Sequence, residues 1–211
     1  MNRRGLVWAL AAVMAPVLGA QELKPVNLPA PQTDGGRPLM QALRERKSTR
    51  EFSSEKVPAQ VLANLLWAGF GVNRPDGRRT APSAMNWQEI DIYVVMAEGT
   101  FVYDAAKNQL VPVTTGDLRS LAGTQAFVAT APVNLVYVAD TSKVSSDAGS
   151  KELLTGADTG FIAQNVYLYC ASEGLATVVR ASVDRDALGK ALKLKGTQKI
   201  ILAQSVGYAK K

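Results

Sequence analysis

The residues best suited to chemistry lie in a short basic segment that follows the first helical pattern. Arg46, Ser48 and Arg50 occupy alternate positions there, with Lys47 between them. Two guanidinium groups and a hydroxyl on one loop can converge on a single phosphate, because arginine donates paired hydrogen bonds and serine donates one. The same composition also occurs where a helix ends in a solvated run of charges. The segment therefore predicts either an anion-binding loop or an ordinary charged surface.

The composition excludes several classes of catalytic site. The sequence contains no histidine and one cysteine, Cys170. A Ser-His-Asp triad, a Cys-His pair and histidine-ligated zinc are therefore impossible, and much hydrolase chemistry is excluded with them. Cys170 cannot form an intramolecular disulfide, and its place in a long apolar pattern predicts a buried side chain instead of a nucleophile.

Length and charge limit the fold and the partners. The chain has 211 residues, of which 47% are hydrophobic and 20% charged, and this predicts one globular domain. Lys and Arg number 24 and Asp and Glu 18, which gives a formal net charge of +6. This mild excess is not densely clustered, so it suits a small anionic ligand and predicts no nucleic-acid partner.

The beginning of the chain has the pattern of a targeting sequence. Residues 1–4 carry two arginines, residues 5–18 are apolar, and residues 19–21 are small or polar. Pro16 interrupts an apolar run that is shorter than the roughly 20 residues of a spanning helix. We expect a signal peptide over residues 1–20, export to the periplasm or secretion, and no stable membrane anchor. The two arginines allow twin-arginine export without requiring it.

The remaining sequence divides into an arm over residues 21–36 and a domain over residues 37–211. The arm is rich in proline and polar residues and lacks an apolar period, so we expect an extended segment that packs late or on a partner. Helical patterns cover residues 39–43, 61–66, 118–129, 156–172 and 184–192, and strand patterns cover residues 90–96, 101–103, 110–113, 133–138, 176–181 and 199–206. The strands before and after residues 105–108 predict a hairpin. Because a hairpin and a helical start do not fit regular βαβ winding, the predicted class is α+β.

Two further segments suit contact with a flat ligand. Residues 82–86 (Pro-Ser-Ala-Met-Asn) lie in the loop before the first long strand pattern, and residues 173–175 (Glu-Gly-Leu) end the longest helical pattern. Gly174 lacks a Cβ, which permits close approach of the backbone to a ring. Taken singly, these residues also fit ordinary roles as turn residues and a helix stop.

Together the three segments resemble the nitroreductase family of flavin mononucleotide (FMN) enzymes. The first segment has the family's R-x-S-x-R-x-F spacing at residues 46–52, and the other two follow in the family's order, so the resemblance extends from about residue 38 to residue 211. It implies an α+β nitroreductase-like fold with a central mixed or antiparallel sheet flanked by helices. It also implies an intertwined homodimer with each FMN in a cleft between subunits.

The resemblance further implies an oxidoreductase that transfers hydride or electrons through flavin N5 between a small-molecule donor and acceptor, without an assigned catalytic residue or metal. It assigns phosphate binding to the first segment, the border of the flavin ring to the second, and amides near N5 and O4 to the third. Relatives commonly add a basic residue beyond the last strand, where this chain offers only its terminal lysines. The implied cofactor-binding set is Arg46, Lys47, Ser48, Arg50, Pro82, Ser83, Ala84, Asn86, Glu173, Gly174, Leu175, Lys210 and Lys211.

Two alternatives stay open at this point. The predicted hairpin that begins at Gly99 resembles the branch of the family that includes the azoline-type dehydrogenases of peptide modification. A secreted, non-catalytic module could instead use the same basic loop to bind a phosphorylated ligand or flavin.

Overall fold

A seven-stranded sheet forms the centre of the protein, whose computed structural model describes residues 23–210. The strands are β1 (Val26–Asn27), β2 (Ile90–Met96), β3 (Gly99–Asp104), β4 (Gln109–Thr115), β5 (Val133–Asp140), β6 (Ala176–Arg180) and β7 (Gln198–Gly207). The α-helices in this part of the chain are α1 (Leu39–Glu45), α2 (Ala59–Phe70), α3 (Ala148–Glu173) and α4 (Arg185–Ala191). The predicted signal peptide and Lys211 lie outside the described residues.

The sheet has the order β1-β4-β3-β2-β5-β7-β6, and every neighbouring pair is antiparallel. The predicted α+β class and the predicted β3–β4 hairpin are therefore confirmed. Strand β5 lies between β2 and β7 and is buried on both faces. Leu135 and Tyr137 pack with α2 and α3 on one face, and Val136 and Val138 pack with α4 on the other. Burial on both faces explains why this strand reads as a continuous apolar run.

Helix α3 spans 26 residues, about 39 Å, and begins eight residues before the predicted start at Gly156. Its first five residues include one apolar residue, Ala148, so periodicity could not reveal the true start. A cap fixes the true start instead, because the Asp147 side chain accepts a hydrogen bond from the Ser150 amide at 3.0 Å. In the later turns Ile162, Val166 and Cys170 are fully buried against the sheet.

The helix predicted over residues 118–129 is wrong. This segment forms two 3₁₀ turns, Arg119–Leu121 and Ala126–Ala129, with an irregular link between them. The link is tied to another part of the chain, because the Thr124 amide donates to the Ser182 carbonyl at 3.1 Å. Gly123 also packs so tightly that a Cβ there would lie 3.0 Å from the Arg180 guanidinium. Tertiary contacts thus override the local helical pattern.

The arm lies along its own chain where the structure describes it. Strand β1 pairs with β4 at the sheet edge, Leu28 is 9% exposed, and the Gln32 amide donates to Asn64 Oδ1 on α2 at 2.8 Å. Within residues 23–210, no helix combines the length and apolarity needed to cross a membrane.

Candidate functional site

A cleft of about 590 Å³ opens where the end of α1 meets the end of α3 and the start of β6. Four cationic side chains and one carboxylate line it: Arg37, Arg44, Arg46, Lys47 and Glu45. A hydrogen bond from Gln41 and the charge of Arg37 hold the pKa of Glu45 below its ordinary value, so this carboxylate stays ionised and offsets one of the cations. The cleft keeps an excess of positive charge and suits an anion.

The basic loop after α1 is held by the edge of the sheet. Strand β6 is an edge strand, and its Thr177 carbonyl accepts a hydrogen bond from the Thr49 amide at 2.9 Å. On the other side, the Ser53 amide donates to the Tyr208 carbonyl and the Lys210 amide donates to the Glu51 carbonyl. The loop therefore forms hydrogen bonds with backbone groups at the sheet edge that would otherwise lack partners. These bonds fix the position of the loop at both ends.

Tyr167 on α3 is the residue that sequence reasoning missed. Its hydroxyl accepts a hydrogen bond from the Val179 amide of β6 at 2.9 Å and lies 2.8 Å from Ser48 Oγ. The Arg46 guanidinium carbon lies 5.1 Å from the centre of the Tyr167 ring, within cation–π distance. Tyr167 is only 7% exposed and lies in the apolar period of α3, so its position in the sequence predicts an ordinary core residue. The sequence could have indicated a further role for Tyr167, because a buried tyrosine hydroxyl needs a hydrogen-bond partner.

Gly174 ends α3 and opens onto the cleft. Its φ of +73° is left-handed, and a Cβ on it would meet no atom within 4 Å. The amides of Gly174 and Leu175 both donate to the Cys170 carbonyl, which closes the helix. Gly174 and Leu175 line the cleft, whereas Glu173 lines a separate, smaller cavity beside Gly36.

The loop at residues 82–86 lies elsewhere on the same chain. The Ala84 amide donates to Asp158 Oδ2 at 2.8 Å, which fixes the loop beside the first half of α3. Sixteen residues separate Asp158 from Gly174, or about 24 Å along the helix. Pro82 and Asn86 are exposed. One chain therefore brings the first and third predicted segments together and leaves the second on another surface.

Ser48 and Arg50 do not line the cleft themselves, although Thr49 between them does. Ser48 and Arg50 are exposed in the basic loop, and Ala209 of the tail lines the cleft, which places Lys210 next to it. Lys211 lies outside the described residues. Cys170 also borders the cleft but is fully buried, and burial raises the pKa of its thiol far above the ordinary value. Such a thiol remains protonated and is a poor nucleophile.

A larger cleft of about 860 Å³ lies between α3, α4 and β7. It contains none of the predicted binding residues, and its cations are surface lysines together with Arg185. Arg185 is already engaged, because its guanidinium donates to the Ile200 and Ile201 carbonyls. Size alone therefore does not make this cleft the better candidate for an anionic cofactor.

Comparison with known proteins agrees with this geometry. The nitroreductase family model matches residues 43–208. A candidate nitroreductase of Methanocaldococcus jannaschii is 31% identical over 170 residues, which cover 74% of this chain and 85% of that protein. The crystal structure of a candidate nitroreductase from Ralstonia eutropha JMP134 superposes with a TM-score of 0.86 at 40% identity, over 91% of this chain and 92% of the other.

A more distant structure shares the fold alone. The NADPH:FMN oxidoreductase of Vibrio harveyi has a TM-score of 0.63 at 20% identity, over 82% of this chain and 69% of the other. The family match extends over well more than half of the chain and includes all three of the segments singled out from the sequence. The chain therefore belongs to the nitroreductase family and is a flavin-dependent oxidoreductase.

Proposed function

We propose that this oxidoreductase binds FMN non-covalently in the cleft at the end of α1. The observation that carries the proposal is the basic lining of that cleft, where cations outnumber carboxylates four to one. A phosphate monoester carries up to two negative charges at neutral pH, and charge-assisted hydrogen bonds from arginine are among the strongest that proteins make. Arg46, Ser48 and Arg50 would hold the phosphate, and Lys210, which follows the cleft-lining Ala209, would assist.

The cleft also suits the rest of the cofactor. Gly174 presents bare backbone with no side chain in front of it, so a flat ring can approach there. When bound, FMN supplies hydride and electron transfer at its N5, and the protein binds and orients it. Because the cofactor supplies the chemistry, the protein needs no histidine, which agrees with the composition.

We infer a homodimer whose partner supplies the ring-bordering loop. The loop at residues 82–86 lies about 24 Å along α3 from Gly174 of the same chain, too far to border a ring that lies there. In a symmetric dimer the equivalent loop of a second chain can reach the cleft. Pro82 and Asn86 are exposed, as a contact across subunits requires.

Helix α3 carries a suitable surface for that second chain. Leu153 is 72% exposed and Phe161 47% exposed. Gly156 and Gly160 lie on the same face, and a Cβ on either would meet no atom within 4 Å. Exposed apolar side chains around small residues allow two helices to pack closely, and such a patch marks an interface.

Light scattering tests the dimer. Wild-type protein should be dimeric at micromolar concentration, and Gly160→Arg should give monomers that bind FMN weakly because an arginine blocks close helix packing. Gly196→Arg is the matched control, since it adds the same side chain in an exposed turn with open space around it. A flavin-loaded wild-type monomer would contradict shared construction of the site.

The visible spectrum of the purified protein tests the cofactor. We expect a bound yellow chromophore that dithionite bleaches and that mass spectrometry identifies as FMN after heat release. A colourless protein that also refuses added FMN would instead support the non-catalytic module. Release of another flavin would contradict the assignment of FMN.

A second candidate activity is oxidation of azolines in modified peptides. It rests on the hairpin of β3 and β4, whose sequence resembles that branch of the family. Flavin-loaded protein should then remove two hydrogens from a thiazoline or oxazoline peptide. Activity on nitroaromatic compounds with no change in the azoline peptide would favour the first proposal.

We also propose that the protein is exported. The support is the pattern of charge, apolar run and small residues over residues 1–20. Fractionation and the mass of the mature protein test it, and cytoplasmic protein that keeps residues 1–20 would refute it. Arg3→Lys with Arg4→Lys keeps the charge but removes the twin-arginine pair, so fully flavinated periplasmic protein from this variant would exclude that route. Outside the cytoplasm we expect a quinol, a redox protein or the organic substrate as donor.

A further inference from the structure

Two carboxyl groups meet in the interior beneath the loop at residues 82–88. Glu89 immediately precedes β2 and is 0% exposed, and Asp158 on α3 is 3% exposed. Among residues 23–210, no ion pair includes either group. Burying two unpaired negative charges side by side is unfavourable, so their protonation state has to be explained.

The hydrogen bonds show which carboxyl oxygen lacks a partner. Glu89 Oε2 accepts from Ser83 Oγ at 3.1 Å, and Asp158 Oδ2 accepts from the Ala84 amide at 2.8 Å. Glu89 Oε1 is buried and has no donor. Burial raises the pKa of Glu89, and the charge and hydrogen-bond contact of Asp158 raise it further. A proton on Oε1 would turn this unpaired acceptor into a donor, and Asp158 is the carboxyl in contact with Glu89.

Two other charged side chains near the pair also hold the loop: Arg79 Nε donates to Gln88 Oε1 at 2.8 Å, and Lys143 Nζ donates to the Gln88 carbonyl at 3.3 Å. Lys143 Nζ, which follows β5, lies 3.7 Å from Asp91 Oδ1 on β2. The Asp140 carboxylate at the end of β5 accepts from the amide and hydroxyl of Ser142. Asp158 is the titratable side chain in contact with Glu89 itself.

We propose that Glu89 and Asp158 share one proton, carried on Glu89 Oε1 and donated to Asp158, and that this pair positions the loop at residues 82–88. Each carboxyl holds one side of the loop through the hydrogen bonds from Ser83 and Ala84. Ser83 Oγ also accepts from the Gln88 amide at 2.9 Å, so Ser83 links the Glu89 side chain to the far end of the loop.

The backbone of this loop needs such support. Met85, Asn86 and Gln88 have φ values of 48°, 55° and 48°, which L residues rarely adopt. Unsupported left-handed residues relax to other conformations unless surrounding contacts fix them. Loss of the shared proton would place two like charges beneath the loop and weaken both anchors.

The functional consequence rests on the proposed function, in which this loop borders the flavin ring of the partner subunit. Glu89 and Asp158 are buried and do not reach the surface of the cleft, so they are positioning residues. We expect deprotonation of the pair to weaken FMN binding without any change in the basic loop.

Glu89→Gln tests the proton directly. Its amide can donate to Asp158 while its carbonyl accepts from Ser83, so it reproduces the protonated state at every pH. In unfolded wild type Glu89 ionises above about pH 4.5, its ordinary pKa, whereas the folded form keeps the proton up to its raised pKa. Between these values the unfolding constant of wild type should rise up to about tenfold per pH unit relative to Glu89→Gln. The stabilising effect of the protonated pair is therefore complete at low pH and lost as pH rises.

Denaturant unfolding from about pH 4.5 to pH 8 measures that ratio, with Glu152→Gln on the exposed side of α3 as the control. Hydrogen exchange at the Ala84 and Gln88 amides measures the loop, and it should accelerate with pH more in wild type than in Glu89→Gln. If Glu89→Gln folds poorly, Asp158→Asn removes the charge repulsion alone, so the fall in stability with pH should shrink relative to wild type but persist, because burial still raises the pKa of Glu89.

The outcomes separate the two claims. A ratio of unfolding constants that does not change with pH overturns the shared proton. A pH-dependent ratio with loop exchange that is identical in wild type and Glu89→Gln overturns the positioning role. Failure of wild type to bind FMN refutes the proposed function only, because denaturant unfolding and hydrogen exchange still test the shared proton and the positioning role. Support for the whole inference is FMN affinity that falls with pH in wild type and less so in Glu89→Gln.

Discussion

Tyr167→Phe is the sharpest test of how the basic loop is positioned. The substitution keeps the ring beneath Arg46 and removes only the hydroxyl, which accepts from the Val179 amide at 2.9 Å and contacts Ser48 Oγ at 2.8 Å. The half-buried Val179 amide then loses its partner at the sheet edge, which should lower the free energy of unfolding by about 1 to 2 kcal/mol. For a chain of this length, that corresponds to a melting temperature lower by roughly 2 to 8 °C.

Flavin affinity should fall in the same variant, because Ser48 loses the contact that orients its hydroxyl. We expect a dissociation constant up to about tenfold higher, measured by equilibrium fluorescence titration. Tyr169→Phe is the matched control on the same helix, since its hydroxyl makes a long bond of 3.4 Å to the Val61 carbonyl and does not contact the basic loop. Equal melting temperatures and affinities for the two variants would refute the role assigned to Tyr167.

Three further substitutions test single features by denaturant unfolding or flavin titration. In Gly174→Ala the new Cβ meets no atom, but alanine is forced into φ +73°, so the free energy of unfolding should fall by about 1 to 2 kcal/mol. An unchanged free energy of unfolding would contradict this. Arg180 is 7% exposed, two of its nitrogens have no partner, and burial lowers its pKa to about 10. Arg180→Met should therefore leave stability unchanged or raise it by about 1 kcal/mol, and a loss above about 2 kcal/mol would oppose that reasoning. Arg46→Ala should weaken FMN binding about tenfold or more, whereas Arg78→Ala, remote from the cleft, should not; equal affinities would remove Arg46 from the site.

Local patterns in the sequence specified most of the fold. Apolar runs and alternation identified β2, β5 and β7, and a glycine after a long apolar period located the end of α3 at Gly174. The helical pattern predicted over residues 184–192 corresponds to α4, and the Asp184 side chain caps that helix by accepting from the Ala187 amide at 3.0 Å. These features depend on residues that lie close together in the sequence, so they can be predicted from the sequence alone.

The sequence also limited the chemistry before any fold was known. The absence of histidine excludes the common triads and histidine-ligated zinc sites, and the basic segment at residues 46–50 indicated an anion site. The spacing of three segments resembled one family, and the family match confirmed that resemblance.

Contacts between distant residues were decided by the tertiary structure alone. Ser48 and Tyr167 are 119 positions apart, and Ala84 and Asp158 are 74 apart. Periodicity shows that Tyr167 and Asp158 lie on a helix, yet it cannot show which loop or strand packs over each of them. A burial pattern encodes which side of an element faces the interior, whereas the identity of the partner depends on how the whole chain closes around the sheet. Both the hydroxyl that holds the basic loop and the carboxyl pair beneath the second loop arise from that closure.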